Sequence, residues 1–135
     1  MKQMIHKGVY GVIQKEDKVL LVEKSRGPYL GLMDLPGGRR EGKESDSDTL
    51  IREIREETGI LIKRWKFYNS FYSRFQYMVN DEVVEFCHYG KIYTIEQYDD
   101  SAIDYNCYYE DAKSCKWLGV CDVDTFTPFA KRCFS

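Results

Sequence analysis

GRREGKESDSDTLIREIREETGI, residues 38 to 60, places Glu44, Glu53, Glu56 and Glu57 with Arg52 and Arg55 at fixed offsets around one short segment. Ser45 has Asp48 three residues on, a near relative of the capping box, and acidic residues crowd a first turn where the helix dipole favours them. A helix is therefore expected from about Ser45. Leu50, Ile51, Ile54 and Thr58 recur at helical spacing and form its buried stripe, and Gly59 supplies the left-handed residue that closes many helices. At about 100° per residue, Glu53, Glu56 and Glu57 fall in one sector beside that stripe.

Like charges at these spacings cost a helix a few tenths of a kcal/mol per pair, so the cluster calls for compensation. Two readings follow. In one, Arg52 and Arg55 neutralise an ordinary solvated face. In the other, the carboxylates converge on a hard cation such as Mg2+, which is usually shared with substrate phosphates.

Taken together, Gly38, five residues, Glu44, seven residues, and then Arg52-Glu53-Ile54-Arg55-Glu56-Glu57-Thr58-Gly59-Ile60 resemble the signature of the Nudix hydrolases, MutT-like nucleotide pyrophosphohydrolases, at every defined position. The resemblance implies a loop-helix-loop in an α/β/α sandwich with a mixed β-sheet. By position it makes Glu53, Glu56 and Glu57 metal ligands, with Glu53 also a candidate base for the attacking water. Arg52 and Glu44 become a supporting ion pair, and the Gly38 region offers a backbone carbonyl to the metal. The implied cofactor is Mg2+, with Mn2+ as a substitute. The implied reaction is hydrolysis of a nucleoside diphosphate linked to another group, by water attack at phosphorus. The alternative is a catalytically inactive nucleotide-sensing or protein-binding module that keeps the fold.

Upstream, Leu35-Pro36-Gly37-Gly38 also resembles the family. Lys24, at the end of the strand-like Val19-Leu20-Leu21-Val22, stands where relatives often meet substrate phosphates, and Arg26 is a second candidate. Glu110 or Asp111 is expected to add an acidic metal ligand from a loop ahead of the last strand. Tyr29, Phe71, Tyr72 and Tyr77 are candidates for stacking on a base. His6 and His88 are isolated from each other in sequence and are chosen as neither ligand nor base.

Substrate choice is weakly marked. Phe75 and Gln76 stand where the ADP-ribose branch tends to carry proline, and Tyr77 falls where the dinucleoside polyphosphate branch tends to carry tyrosine. Phe126-Thr127-Pro128-Phe129-Ala130 lacks the asparagine of the branch that clears oxidised guanine nucleotides. A nucleoside triphosphate or related small nucleotide is the default that the resemblance leaves.

The 135 residues are 43% apolar, enough for one domain spanning 1–135 with a proper core. Lys and Arg total 20 against 22 Asp and Glu, a formal charge of −2, so no general basic surface favours nucleic-acid polymers over small nucleotides. The first residues lack the apolar run of a signal peptide, and nothing approaches a membrane span, so a cytoplasmic location without membrane partners is expected. Cys87, Cys107, Cys115, Cys121 and Cys133 contain no Cys-x-x-Cys pair and are expected as reduced thiols. A homodimer is left open.

Val9 to Ile13 and Lys18 to Val22 read as strands of a hairpin across Gln14 to Asp17. Phe67, Phe71, Phe75, Tyr77 and Val79 alternate as the inward face of one long strand. Asn80-Asp81 turns the chain into its partner, Glu82 to Tyr93, where Gly90 suggests a bulge. Glu96 to Ala112 reads as a long loop, Trp117 to Val120 as a last short strand, and Thr127-Pro128 as the cap and first residue of a closing helix.

Overall fold

In a computed structural model, which describes residues 1–134, the chain runs β1 (Lys2–Val12), β2 (Gln14–Lys15), β3 (Lys18–Lys24), β4 (Met33–Asp34), β5 (Gly37–Gly38) and α1 (Asp46–Thr58). It continues through β6 (Leu61–Val79), β7 (Glu82–Asp99), β8 (Ala112–Leu118), a 3-10 turn (Val120–Thr125) and α2 (Pro128–Cys133). One four-stranded sheet has the order β5-β1-β7-β6, and a second joins β2, β3 and β4 with β8 against β3. The first sheet is mixed, because β1 and β7 run parallel while its other pairs are antiparallel. The α/β class with helices on a mixed sheet is as expected.

Each sheet face has its own apolar cluster. Leu50 and Ile54 of α1 pack with Val9, Ile13, Leu20, Ile62 and Ile95. On the other side, Phe129 and Ala130 of α2 pack with Tyr10, Tyr29, Phe86, Ile92 and Phe126. Gly90 is not a bulge, since its pairing with Gly8 and Phe71 is regular on both sides. Its role is space: a Cβ there would lie 2.2 Å from Phe129 Cζ.

The long hairpin departs from simple alternation. Tyr68 is an extra residue between the Phe67–Tyr93 and Asn69–Ile92 pairs, and one extra residue reverses which face the following side chains occupy. Phe67 therefore meets Tyr93 while Phe71, Phe75 and Tyr77 pack with the α2 cluster, and Val79 is exposed near the tip. Asn80 and Asp81, at φ 50° and 66°, make the expected turn.

Three boundaries also move. β1 leaves the first hairpin at Ile13 and joins the other sheet, so only Gln14–Lys15 pair with β3 beyond the Leu20 N–H to Ile13 C=O bond. Strand β7 continues through Glu96 to Asp99 because it has both β6 and, up to Thr94, β1 as partners, which shortens the expected loop. The last strand starts at Ala112 and stops at Leu118, drawn out by its pairing with β3.

Candidate active site

The box helix forms as its local chemistry dictates. Ser45 Oγ accepts from the Asp48 N–H at 3.0 Å while Asp48 returns a bond to the Ser45 N–H at 3.1 Å. Gly59, at φ 81°, ends the helix with its N–H on the Arg55 carbonyl. Leu50 and Ile54 are buried, and the same packing carries Glu53 and Glu57 inward until they are 3% and 2% exposed.

Two glycines bring backbone to those carboxylates. Gly37 sits at φ 145°, where a Cβ would collide with the Val9 carbonyl, and its N–H donates to Glu57 Oε1 at 2.8 Å. A Cβ on Gly38 would stand 2.7 Å from the Glu53 carboxyl. Arg52 grips Glu44 with both arms of its guanidinium, Nε to Oε2 at 2.7 Å and Nη2 to Oε1 at 2.9 Å. Its Nη1 donates to Glu53 at 2.8 Å and to Glu56 at 3.4 Å. Glu44 is itself fixed by the Glu41 N–H and the Thr49 hydroxyl, and hydrogen bonding from Arg52 holds its carboxyl near 2.

Glu53, Glu56 and Glu57 share one sector, but they do not close on one point. Among the described residues no three acidic, His or Cys side chains stand close enough together to cage an ion. Repulsion is relieved separately at each, with Arg52 between Glu53 and Glu56 and the Gly37 N–H taking Glu57. Burial, partly opposed by the Arg52 hydrogen bond, raises Glu53 to about 7. Burial pushes Glu57 well above the ordinary carboxylate range, although nearby Lys24 opposes it.

Glu53 faces a cavity of about 500 Å³. Lys24, Arg26, Arg39 and Arg40 line it together with Gly38, Glu53, Glu110 and Asp111. Lys24 Nζ sits 2.8 Å from Asp111, and although burial works against its charge, Asp34, Asp111 and Glu57 keep its pKa above the ordinary value. Tyr29 is also on the wall, whereas Tyr77 is not among the lining residues and donates to Met4 Sδ at 2.9 Å. Phe71 borders a separate groove, Tyr72 packs on Tyr89, and Glu85 accepts from Gln3. Glu82 lies at the base of the hairpin turn, paired with Val79.

The histidines do not remain apart. Parallel pairing sets His6 beside His88, with ring centroids 5.1 Å apart, and both line the cavity. Tyr10 joins them, its hydroxyl 3.1 Å from His6 Nε2 and 2.7 Å from His88 Nε2, and Tyr29 lies 2.9 Å from His88 Nδ1. The β1–β7 register brings His6 and Tyr10 to His88, and Tyr29 comes from the loop between β3 and β4, so no spacing along the chain signals them. Asp34 was likewise missed: it is buried on the cavity wall, bonded by the Leu35 N–H and the Thr127 hydroxyl.

A sequence model of the NUDIX domain matches residues 4–134. The chain belongs to the NUDIX family. An ADP-ribose pyrophosphatase from Methanocaldococcus jannaschii is 42% identical over 55 residues, covering 41% of this chain and 32% of that protein. A CTP pyrophosphohydrolase from Escherichia coli is 38% identical over 53 residues, 38% of this chain and 39% of that one. The matched stretch thus spans about a third of these curated relatives. The fold is like that of a MutT NUDIX hydrolase from Burkholderia pseudomallei, at TM-score 0.64 and 20% identity over 92% of this chain and 88% of that chain. A MutT protein from Bacillus halodurans gives TM-score 0.65 and 21% identity over 90% and 74%.

NUDIX hydrolases generally use a divalent metal. The donors here fit one in kind, because they are carboxylate and carbonyl oxygens, which suit hard cations. Glu57 strengthens the fit: it is buried, yet among the described residues one backbone N–H is its only hydrogen bond. Among the described residues, no helix is long and apolar enough to cross a membrane.

Proposed function

We propose that this chain, acting as one domain, hydrolyses a phosphoric anhydride bond in a small nucleotide, by default a nucleoside triphosphate, through attack of water at phosphorus. The observation that carries this reading is the buried Glu53 carboxylate on the wall of a cavity that also carries Lys24, Arg26, Arg39 and Arg40, with buried Glu57 one turn along the same helix. Acid to hold a cation and base to hold phosphate thereby meet in one space. The pyrophosphohydrolase names of the relatives agree with it.

Glu53, Glu56 and Glu57, with the Gly38 carbonyl and Glu110 or Asp111, would hold Mg2+ or Mn2+. The ion supplies neutralisation of phosphate charge and a lowered pKa for water. Lys24 and Arg26 bind the phosphate oxygens. Glu53 takes the proton from water, as a carboxylate on the cavity wall beside the phosphate-binding cations can. Arg52, fixed by Glu44, orients Glu53 and limits its movement.

A phosphate-release screen over nucleoside triphosphates, damaged nucleotides, ADP-ribose, nucleotide sugars and dinucleoside polyphosphates tests the reading. Turnover in Mg2+ that EDTA abolishes is the expected result. Nucleotide binding without release of phosphate in Mg2+ or Mn2+ would overturn it and point to a sensing module.

A further inference from the structure

Part of the cavity lining is neutral and largely aromatic, formed by His6, Tyr10, Tyr29, Phe86 and His88 with Met4 and Ile5. His88 is 1% exposed and stacks on Phe129 at 3.9 Å between centroids. Burial lowers His88 to about 2 and His6 to about 4, with further lowering from Lys24 and, at His6, from Arg39. Both imidazoles are therefore uncharged at neutral pH, and each carries a single ring proton.

That single proton has consequences along the chain Ser73–Tyr29–His88–Tyr10–His6. Its links are 3.4 Å from Ser73 Oγ to the Tyr29 hydroxyl, 2.9 Å on to His88 Nδ1, 2.7 Å from Nε2 to Tyr10, and 3.1 Å to His6 Nε2. Two arrangements satisfy every link. In the first, Ser73 donates to Tyr29, Tyr29 to His88 Nδ1, His88 Nε2–H to Tyr10, and Tyr10 to His6 Nε2. The His6 proton must then sit on Nδ1. In the second, all donors reverse: His6 Nε2–H donates to Tyr10, Tyr10 to His88 Nε2, His88 Nδ1–H to Tyr29, and Tyr29 to Ser73. His6 Nδ1 is then a bare acceptor. Every group holds the same number of protons in both, so no charge changes.

His6 Nε2 is bonded, and its Nδ1 has no hydrogen-bond partner among the described residues, which leaves Nδ1 for a ligand. We propose that this chain is a two-state hydrogen-bond relay that sets whether the neutral wall presents a donor or an acceptor to the heteroaromatic ring of a nucleotide. The proposal rests on the nucleotide reading above and deepens it. A base with a carbonyl edge selects the first state, a base with an amino edge selects the second, and one site serves both.

Ser73 is the remote handle, because it is buried and is not among the cavity-lining residues. Ser73→Ala removes the only acceptor among the described residues for the Tyr29 proton in the second state, while the first state loses just one donor to Tyr29. An unsatisfied buried donor is the more costly defect, so the variant should settle in the first state. Ser73 acts only through Tyr29 and His88, as a positioning residue.

The test is 15N NMR of the histidine rings, in which protonated and bare nitrogens of a neutral imidazole are resolved. Wild type and Ser73→Ala are each compared with the α,β-methylene analogues of adenosine and inosine triphosphate. In the wild type, His88 should carry its proton on Nε2 with the inosine analogue and on Nδ1 with the adenosine analogue. In Ser73→Ala the proton should stay on Nε2 with both, and kcat/KM for the amino base relative to the oxo base should fall about fivefold or more. One unchanged tautomer with both analogues in the wild type, or equal losses on both substrates in the variant, would overturn the relay while leaving hydrolysis intact. Failure to bind or cleave any nucleotide would overturn both the relay and the hydrolase reading.

Discussion

The two walls of the cavity are built in opposite ways. The charged wall takes Glu53 from one helix, α1, where Arg52 holds Glu53 and Glu56 and is itself clamped by Glu44 eight residues before it, and Glu110 and Asp111 join just ahead of β8. The neutral wall draws on residues 6, 10, 29, 73 and 88, and its link from Tyr10 to His88 spans 78 positions. Buried carboxylates need compensation, which Arg52 gives locally to Glu53 and Glu56, while Glu57 takes the Gly37 N–H twenty residues away. Buried uncharged polar groups need only their hydrogen bonds, and strand pairing supplies those from distant segments. Charge at one end and a neutral ring surface at the other are what a nucleotide, with its phosphates and its base, presents to a binding site.

Changing one wall at a time should separate chemistry from stability. Glu57→Gln keeps an oxygen to accept the Gly37 N–H, so the fold should persist while kcat falls about a hundredfold to a thousandfold. Phosphate release beside a circular-dichroism melt measures both, and undiminished turnover would remove Glu57 from the chemistry. Gly90→Ala should do the reverse behind the neutral wall. Its methyl meets the Phe129 ring, which also backs His88, and overpacking of this kind costs about 1–3 kcal/mol in a urea titration. Unchanged stability there would mean that α2 is free to shift.

Glu44→Gln is the smaller change on the charged wall. It weakens the clamp on Arg52 without touching Glu53 directly, and activity should fall about tenfold, with a weaker apparent affinity for Mg2+ as the accompanying sign. The mildest effect should be on pH dependence. Glu53 has an ordinary value of 4.5 and is held near 7 by burial, so the folded chain keeps a proton that the unfolded chain releases. The Glu53 contribution to stability must then decline as pH rises from 4.5 to 7. His6 and His88 contribute in the opposite sense, since their lowered values add stability as pH rises toward 6.5, so it is the metal-free Tm of the wild type relative to Glu53→Gln that should fall through this window. Added Mg2+ should recover Tm above that window. A wild-type Tm that rises relative to Glu53→Gln through this window would contradict the buried, partly protonated Glu53.

The parts of the site legible in the sequence are those fixed by near neighbours. Ser45 with Asp48, the Leu50–Ile54 stripe and the Gly59 stop needed only helical geometry, and the Arg52–Glu44 pair was implied by the resemblance. Lys24, Arg26, Tyr29, Gly38, Glu110 and Asp111 all reached the cavity wall. Tyr77 did not, because packing with the α2 cluster and a bond to Met4 place it elsewhere. Alternation failed at Phe67 for a related reason: the extra residue at Tyr68 appears only when two strands are laid side by side.

By itself, the sequence determined the helix from residue 46 to 58, its register, and the acidic edge it presents, since capping, helical periodicity and the glycine stop act within a few residues. Only the tertiary structure decided what faces that edge. His6 meets His88 because β1 runs parallel to β7 in one register, and a shift of one residue would turn the side chains of either strand to the opposite face. Gly90 then leaves room for Phe129 beneath His88. These contacts depend on pairing between distant strands, and so the neutral wall exists only once both sheets and α2 are in place.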